Sequence, residues 1–141
     1  MPEHPNAALV RRLFDAFESR DIATVNEIVA EDAVWHFPGT RGALAGDHRG
    51  REVILRFLAG VGVLTAGTFH LELLDITASD GRAVALFTGS GARPDGRTLH
   101  NPTALVITIH DGRITELHEF VWDLPHVESF WSRPREGIPP P

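Results

Sequence analysis

The sequence predicts an α+β fold: a cone-shaped single domain with N-terminal helices packed on a curved antiparallel sheet that encloses a pocket, and a short C-terminal helix. Three observations carry this. Apolar residues recur at helical spacing as far as Val61 and in extended runs after Gly67. The tight-turn sequences Ser79-Asp80-Gly81, Pro94-Asp95-Gly96 and Asp111-Gly112 separate those extended runs. Along the 141 residues there is no repeat and no composition shift that marks a second domain. The expected organisation is one domain over residues 1–133 and a Pro-rich, flexible tail over 134–141.

Asn6 is placed to cap a first helix, with Leu9, Val10, Leu13, Phe14 and Phe17 on its apolar stripe. Asp21 opens a shorter helix carrying Ile22, Val25, Ile28 and Val29, closed by Glu31-Asp32. Residues 33–37 read as a short strand stopped by Pro38-Gly39, and 39–50 as a glycine-rich loop. A third helix follows with Val53, Ile54, Phe57, Leu58 and Val61 inward. Strands are expected over 69–78, 82–93, 98–110 and 113–122, with Gly89-Ser90-Gly91 marking a bulge or kink. Asp123 caps a last helix over 124–131, where Pro125 sits harmlessly in the first turn. Amphipathic helices must cover one face of such a sheet. Long strands twist and coil, so the covered face becomes concave and leaves a pocket suited to a small, mostly apolar ligand.

Composition narrows the function. A net charge of −6 argues against nucleic acid and anionic membranes as partners. The chain has no Cys, which excludes disulfides and thiolate metal sites. The eight histidines include no close helical pair, so no metal and no cofactor is expected. The start lacks a basic and an apolar leader segment, and no apolar run reaches the ~20 residues of a membrane span. A cytoplasmic protein is expected.

Two stretches resemble a known family. The first is Val34-Trp35-His36-Phe37-Pro38-Gly39, continuing through Gly46-Asp47-His48-Arg49-Gly50-Arg51-Glu52-Val53. The second runs from Asp111 to Phe120 (DGRITELHEF), with Asp123 beyond it. These resemble the SnoaL-like, ketosteroid-isomerase-like branch of the nuclear transport factor 2-like superfamily. The resemblance implies the cone-shaped fold and a set of activities that includes isomerases, polyketide cyclases, epoxide hydrolases, dehydratases and non-enzymatic binders. The steroid isomerases of this superfamily use a Tyr donor, a carboxylate base on the first strand and an acid on the third long strand. This chain has no Tyr, carries Phe37 before Pro38, and places Ala104 near the third position. The resemblance therefore does not imply a steroid isomerase. Limonene-epoxide-hydrolase-like members place an acid on the last strand, where Glu119 stands, but their Arg and Asp partners have no match between Ala83 and Arg93.

Three residues are candidate catalysts. Glu119 shares a strand face with Leu117 and Val121 and is either a buried acid, whose raised pKa lets it exchange a proton near neutral pH, or a member of an edge or interface salt bridge. His36 lies between Trp35 and Phe37 and is either a general base or a core or dimer-face histidine bonded to backbone. Strand parity puts it on the face opposite Trp35 and Phe37, so only one of the two sets can face the pocket unless a kink before Pro38 intervenes. His100 is either a proton-relay partner of Glu119 or a solvated residue at a strand start. Trp35, Phe37, Phe14, Leu117 and Val121 are the expected substrate-binding residues. Asp47, His48 and Arg49 are either a rim over the pocket mouth or plain turn residues. His118, Phe120 and Trp122 alternate with the pocket-facing set, so a homodimer through the outer sheet face is expected.

The expected function is cofactor-independent proton transfer on a small hydrophobic carbonyl or polyketide-like substrate, of isomerase, cyclase or dehydratase type. A non-catalytic ligand-binding or dimerisation module is the alternative, and epoxide-hydrolase-like hydrolysis is a third reading. A His within hydrogen-bond reach of Glu119 in one cavity would favour the enzyme.

Overall fold

The computed structural model describes residues 2–133, so the tail expected to be flexible at 134–141 lies outside the described residues. The chain runs α1 (Pro5–Ser19), α2 (Ile22–Ile28), β1 (Val29–Phe37), β2 (Gly46–Arg49), α3 (Arg51–Leu64), β3 (His70–Ser79), β4 (Arg82–Ala92), β5 (Thr98–His110), β6 (Arg113–Val121) and α4 (Leu124–Trp131). The strands form one sheet in the order β2-β1-β6-β5-β4-β3. β3 to β6 are the expected antiparallel meander, while β1 docks parallel to β6.

Local chemistry sets the boundaries. α1 is capped by His4, not Asn6: the His4 Nδ1 accepts the Asn6 N–H at 3.0 Å, and the Asn6 side chain instead donates to the Ser79 and Asp80 carbonyls. Asp21 caps α2 as expected, accepting the Thr24 N–H at 3.1 Å. α2 ends three residues earlier than Glu31, because Val29 turns extended and begins β1. Gly50 precedes α3 at φ +93°, a conformation that favours glycine. Its N–H bonds to the Ala33 carbonyl at 2.7 Å, which fixes β1 beside the start of α3. The loop expected at 39–50 contains the edge strand β2, paired with β1 from Val34–Arg49 to Phe37–Gly46.

The core lies between the sheet and the helices. Val10, Leu13 and Phe14 of α1 and Ile54 and Phe57 of α3 face Ala83, Ala85, Leu105, Ile107, Ile114 and Leu117 of the sheet. Those six sheet residues are at most 1 % exposed. Register shifts between Val29 and Val34, Leu73 and Asp75, and Thr108 and Ile109 mark where the strands bend. The expected kink at Gly89-Ser90-Gly91 is not among them: these residues pair regularly with Asn101, His100 and Leu99. Their small size has another use. A Cβ on Gly89 would lie 3.4 Å from the Phe69 ring, and one on Gly91 3.4 Å from the Phe69 backbone and the Thr65 methyl.

Candidate functional site

The concave sheet face and the helices enclose a cavity of about 850 Å³. That is within the size range of small-molecule sites. Aromatic rings make much of its wall: Phe14, Phe17, Trp35, Phe37, Phe57 and Phe87. They touch in sequence, with ring centroids 5.3 Å apart for Phe87–Phe14, 5.8 Å for Phe14–Phe17, 6.0 Å for Phe17–Trp35, 5.3 Å for Trp35–Phe57 and 5.6 Å for Phe57–Phe37. Edge-to-face and tilted contacts of this kind add about 0.5–1.5 kcal/mol each beyond burial, which holds the wall rigid. The exposed lining residues Ile22, Val63 and His70 put the mouth between the ends of α1 and α3 and the start of β3.

Glu119 enters this cavity. On β6, Leu117 and Glu119 alternate inward while His118 and Phe120 point out. Glu119 stands opposite Leu105 of β5. Its Oε1 accepts the indole N–H of Trp35 at 3.2 Å, the one side-chain hydrogen bond it makes among the described residues. Its remaining open surface borders the cavity, and protein surrounds it otherwise. Burial pushes its pKa up to about 7, with the Trp35 bond pulling the other way. An apolar ligand that displaced cavity water would desolvate the carboxyl further. Trp35 is brought here by the parallel pairing of β1 and β6, where it lies beside Leu117, one inward step from Glu119.

Neither expected histidine partner reaches Glu119. His36 takes the outer sheet face, as parity demands once Trp35 and Phe37 turn inward. Its Nδ1 meets Asp47 at 2.7 Å, its Nε2 meets Glu116 at 2.8 Å, and its ring stacks on His118 at 3.9 Å. His100 also points away from the cavity, since Leu99 and Asn101 are the inward residues of that part of β5. Its backbone N–H donates to His126 Nε2 at 3.2 Å.

Of the expected substrate-binding residues, Phe14, Trp35 and Phe37 line the cavity. Leu117 is buried in the core row beside Trp35 and Ile107, and neither it nor Val121 is part of the wall. The Asp47-His48-Arg49 stretch is strand β2, and none of the three lines this cavity. Its His48 packs on Phe57 with centroids 4.3 Å apart and bonds to the Leu44 carbonyl. Asp123 caps α4 through the His126 N–H. One buried polar wall residue escaped the sequence reading: Asn101, 6 % exposed, whose Oδ1 has no hydrogen-bond partner among the described residues.

His36, Glu116 and His118 bring one ligand-type atom each within 4.8 Å on the outer face. The histidine rings are parallel within 11°, so their lone pairs do not converge on one point, and both His36 nitrogens are already held by carboxylates. The cluster is an ion-pair network. Partial burial lowers the His36 pKa, but hydrogen bonds and charge from Glu116 and Asp47 together raise it above its ordinary value. The hydrogen bond from His36 in turn lowers both carboxyls. A raised His pKa stabilises the fold below its unfolded value near 6.5 and is lost as pH rises through the folded value. The lowered carboxyls contribute above about pH 4 and are lost on acidification. The stability difference between the wild type and His36→Gln is therefore expected to be largest near pH 5–6 and to shrink by pH 8–9. Urea unfolding across that range measures it, and a pH-independent difference would refute the network.

A SnoaL-like domain family matches residues 10–117. An uncharacterized protein of Mycobacterium tuberculosis is 34 % identical over 133 residues, covering 94 % of this chain and all of that one. The structure of Bal32a, from a soil-derived mobile gene cassette, superposes with a TM-score of 0.86 at 37 % identity, covering 90 % of this chain and 96 % of its own. TerC co-crystallized with polyporic acid has the same fold, with a TM-score of 0.78, 22 % identity, and coverage of 90 % and 98 %.

Proposed function

The chain belongs to the SnoaL-like domain family, and from that premise we propose that it is a cofactor-independent enzyme that moves protons on a small hydrophobic carbonyl compound, with Glu119 as acid and base. The observation that supports this reading is one carboxyl set in a largely apolar cavity and aimed by the Trp35 indole, where burial pushes its pKa up to about 7. A carboxylate of that basicity is stronger than a solvated one, and it is still half ionised at neutral pH. It can take a proton from the carbon beside a carbonyl and return it at another position, as isomerisation, cyclisation and dehydration all require. The indole N–H keeps the acceptor oxygen oriented and stabilises the ionised form.

A second reading, a ligand-binding module without catalysis, is favoured by one observation: both histidines expected beside Glu119 face elsewhere. One probe separates the two. 2-Tetralone is a bicyclic, apolar ketone with acidic α-protons. The protein is expected to accelerate its α-proton exchange with deuterated buffer, followed by proton NMR, with a rate that rises with pH and is half-maximal near 7. Trp35→Phe removes the bond that favours the carboxylate, so the midpoint is expected to move upward. Binding of 2-tetralone with no exchange above that of an inert protein would establish the binding module instead.

We further propose that the protein is a homodimer built on the outer sheet face. Leu86, Ala104 and Phe120 form one row across β4, β5 and β6. Phe120 is 58 % and Trp122 87 % exposed in the single chain.

A further inference from the structure

We propose that Asn101 is a second ligand anchor at the opposite end of the cavity from Glu119, and that the ligand carries a hydroxyl group about two fused rings away from the carbon that Glu119 serves. The inference deepens the reading of Glu119 as the reactive group and rests on it for the position of the other end.

The starting point is a polar group without a partner. Asn101 is on the cavity wall and almost fully buried, and its Oδ1 accepts no hydrogen bond among the described residues. An unpaired buried amide oxygen costs about 1–3 kcal/mol. A fold that needed only packing here would carry Leu, as it does two positions away at Leu99. The neighbouring hydroxyl does not help: Thr103 donates its own proton to the Asn101 backbone carbonyl at 3.1 Å. Opposite Asn101 on β4 stands Gly89, which offers no side chain. Phe69 and Trp131 complete this end of the wall, and neither bonds to the amide oxygen. The oxygen is closed off as the amide stands, and the NH₂ group, also without a partner among the described residues, is the part that borders the cavity; a turn of the amide about χ2 lets a cavity ligand pair either atom. A hydroxyl suits the position because it can donate to the oxygen of the amide and accept from its NH₂ group.

Register gives the length. Glu119 pairs with Leu105, and Asn101 lies four residues further along the same inward face of β5. At ~3.3 Å per residue the two positions are about 13 Å apart along the strand, and a contact of ~2.8 Å at each end leaves about 8 Å between the ligand atoms that meet Glu119 and Asn101. Between them the wall is apolar: Phe87 stands opposite Thr103, and Leu105 lies beside Glu119. A planar bicyclic framework with oxygens at opposite ends fits this span.

The test is binding, read by fluorescence titration with two matched probes, 2-naphthol and 2,6-dihydroxynaphthalene. The wild type is expected to bind the diol roughly tenfold more tightly, the effect of pairing one buried polar group. Asn101→Leu removes the amide at nearly constant volume and is expected to erase that preference. Asn101→Ala checks the same loss without the added methyl groups, and circular dichroism confirms that both variants fold. A wild type indifferent to the second hydroxyl, or a preference that survives in both variants, overturns the proposal. In Glu119→Gln the preference is expected to persist, and its loss would overturn the two-ended arrangement. Failure of the Glu119 reading shows separately, as full exchange activity of Glu119→Gln on 2-tetralone, which has no second hydroxyl.

Discussion

Glu119→Gln is expected to slow enzyme-catalysed exchange of 2-tetralone by at least about 100-fold, since a positioned acid or base contributes roughly 10²–10⁴. The amide keeps the volume and can still accept the Trp35 N–H, but it cannot take a proton at pH 7. Affinity for 2-tetralone should change by only a few-fold, because the aromatic wall is untouched. The same substitution has a second consequence with the opposite sign. Glu119 titrates near 7 when folded and near 4.5 when unfolded, so between those values the native state binds more protons. Stability therefore falls as pH rises through that window. The difference of about 2.5 pH units corresponds to at most on the order of 3 kcal/mol. Gln does not ionise, so the variant should be more stable than the wild type at pH 8 and nearly equal at pH 4. A variant that is inactive yet more stable at pH 8 cannot owe its inactivity to misfolding. Retention of full exchange activity would remove Glu119 from the mechanism.

The reach of the sequence differs between fold and site, and for physical reasons. The four long strands were legible because Asp-Gly and Pro-Asp-Gly turns punctuate extended apolar runs, and both signals are local. β2 was not, because Gly46-Asp47-His48-Arg49 has no apolar alternation and is a strand only through pairing with β1. The placement of β1 beside β6 brings together residues some eighty positions apart, and no local pattern encodes it. That pairing delivers Trp35 to Glu119, so the acid was visible in the sequence and its partner was not. Parity supplied half of the histidine answer: once Trp35 faces the core, His36 must face out. Asn101 left a signal that went unread. It is the one amide in the inward series Leu99, Asn101, Thr103, Leu105, Ile107, Ile109, and a lone amide on an otherwise apolar strand face needs a partner.

Phe120→Glu is expected to convert the protein from a dimer of twice the 15.5 kDa chain mass to a monomer at micromolar concentration, as read by light scattering. The argument starts from area. Five strands about 4.8 Å apart and roughly 30 Å long present on the order of 700 Å² per copy, close to the ~800 Å² per partner of a stable interface. Chemistry points the same way. Phe120, Trp122 and Leu86 are large apolar side chains left open on this face, the kind of surface that interfaces cover. The row beside them, Asp47, His36, His118, Val106 and Val84, runs across five strands from charged to apolar. A two-fold axis over Phe120 lets the acidic end of one copy approach the histidines of the other. Glu at position 120 would then face its own symmetry mate near the axis, in a setting with little water, and like charges there cost several kcal/mol. A loss of that size weakens dimerisation by a factor of a hundred or more. Within one chain Phe120 is mostly exposed, so the substitution should leave the fold and the binding of 2-tetralone intact. A Phe120→Glu protein that remained a dimer would place the interface elsewhere, and a monomeric wild type would leave this face without a second copy.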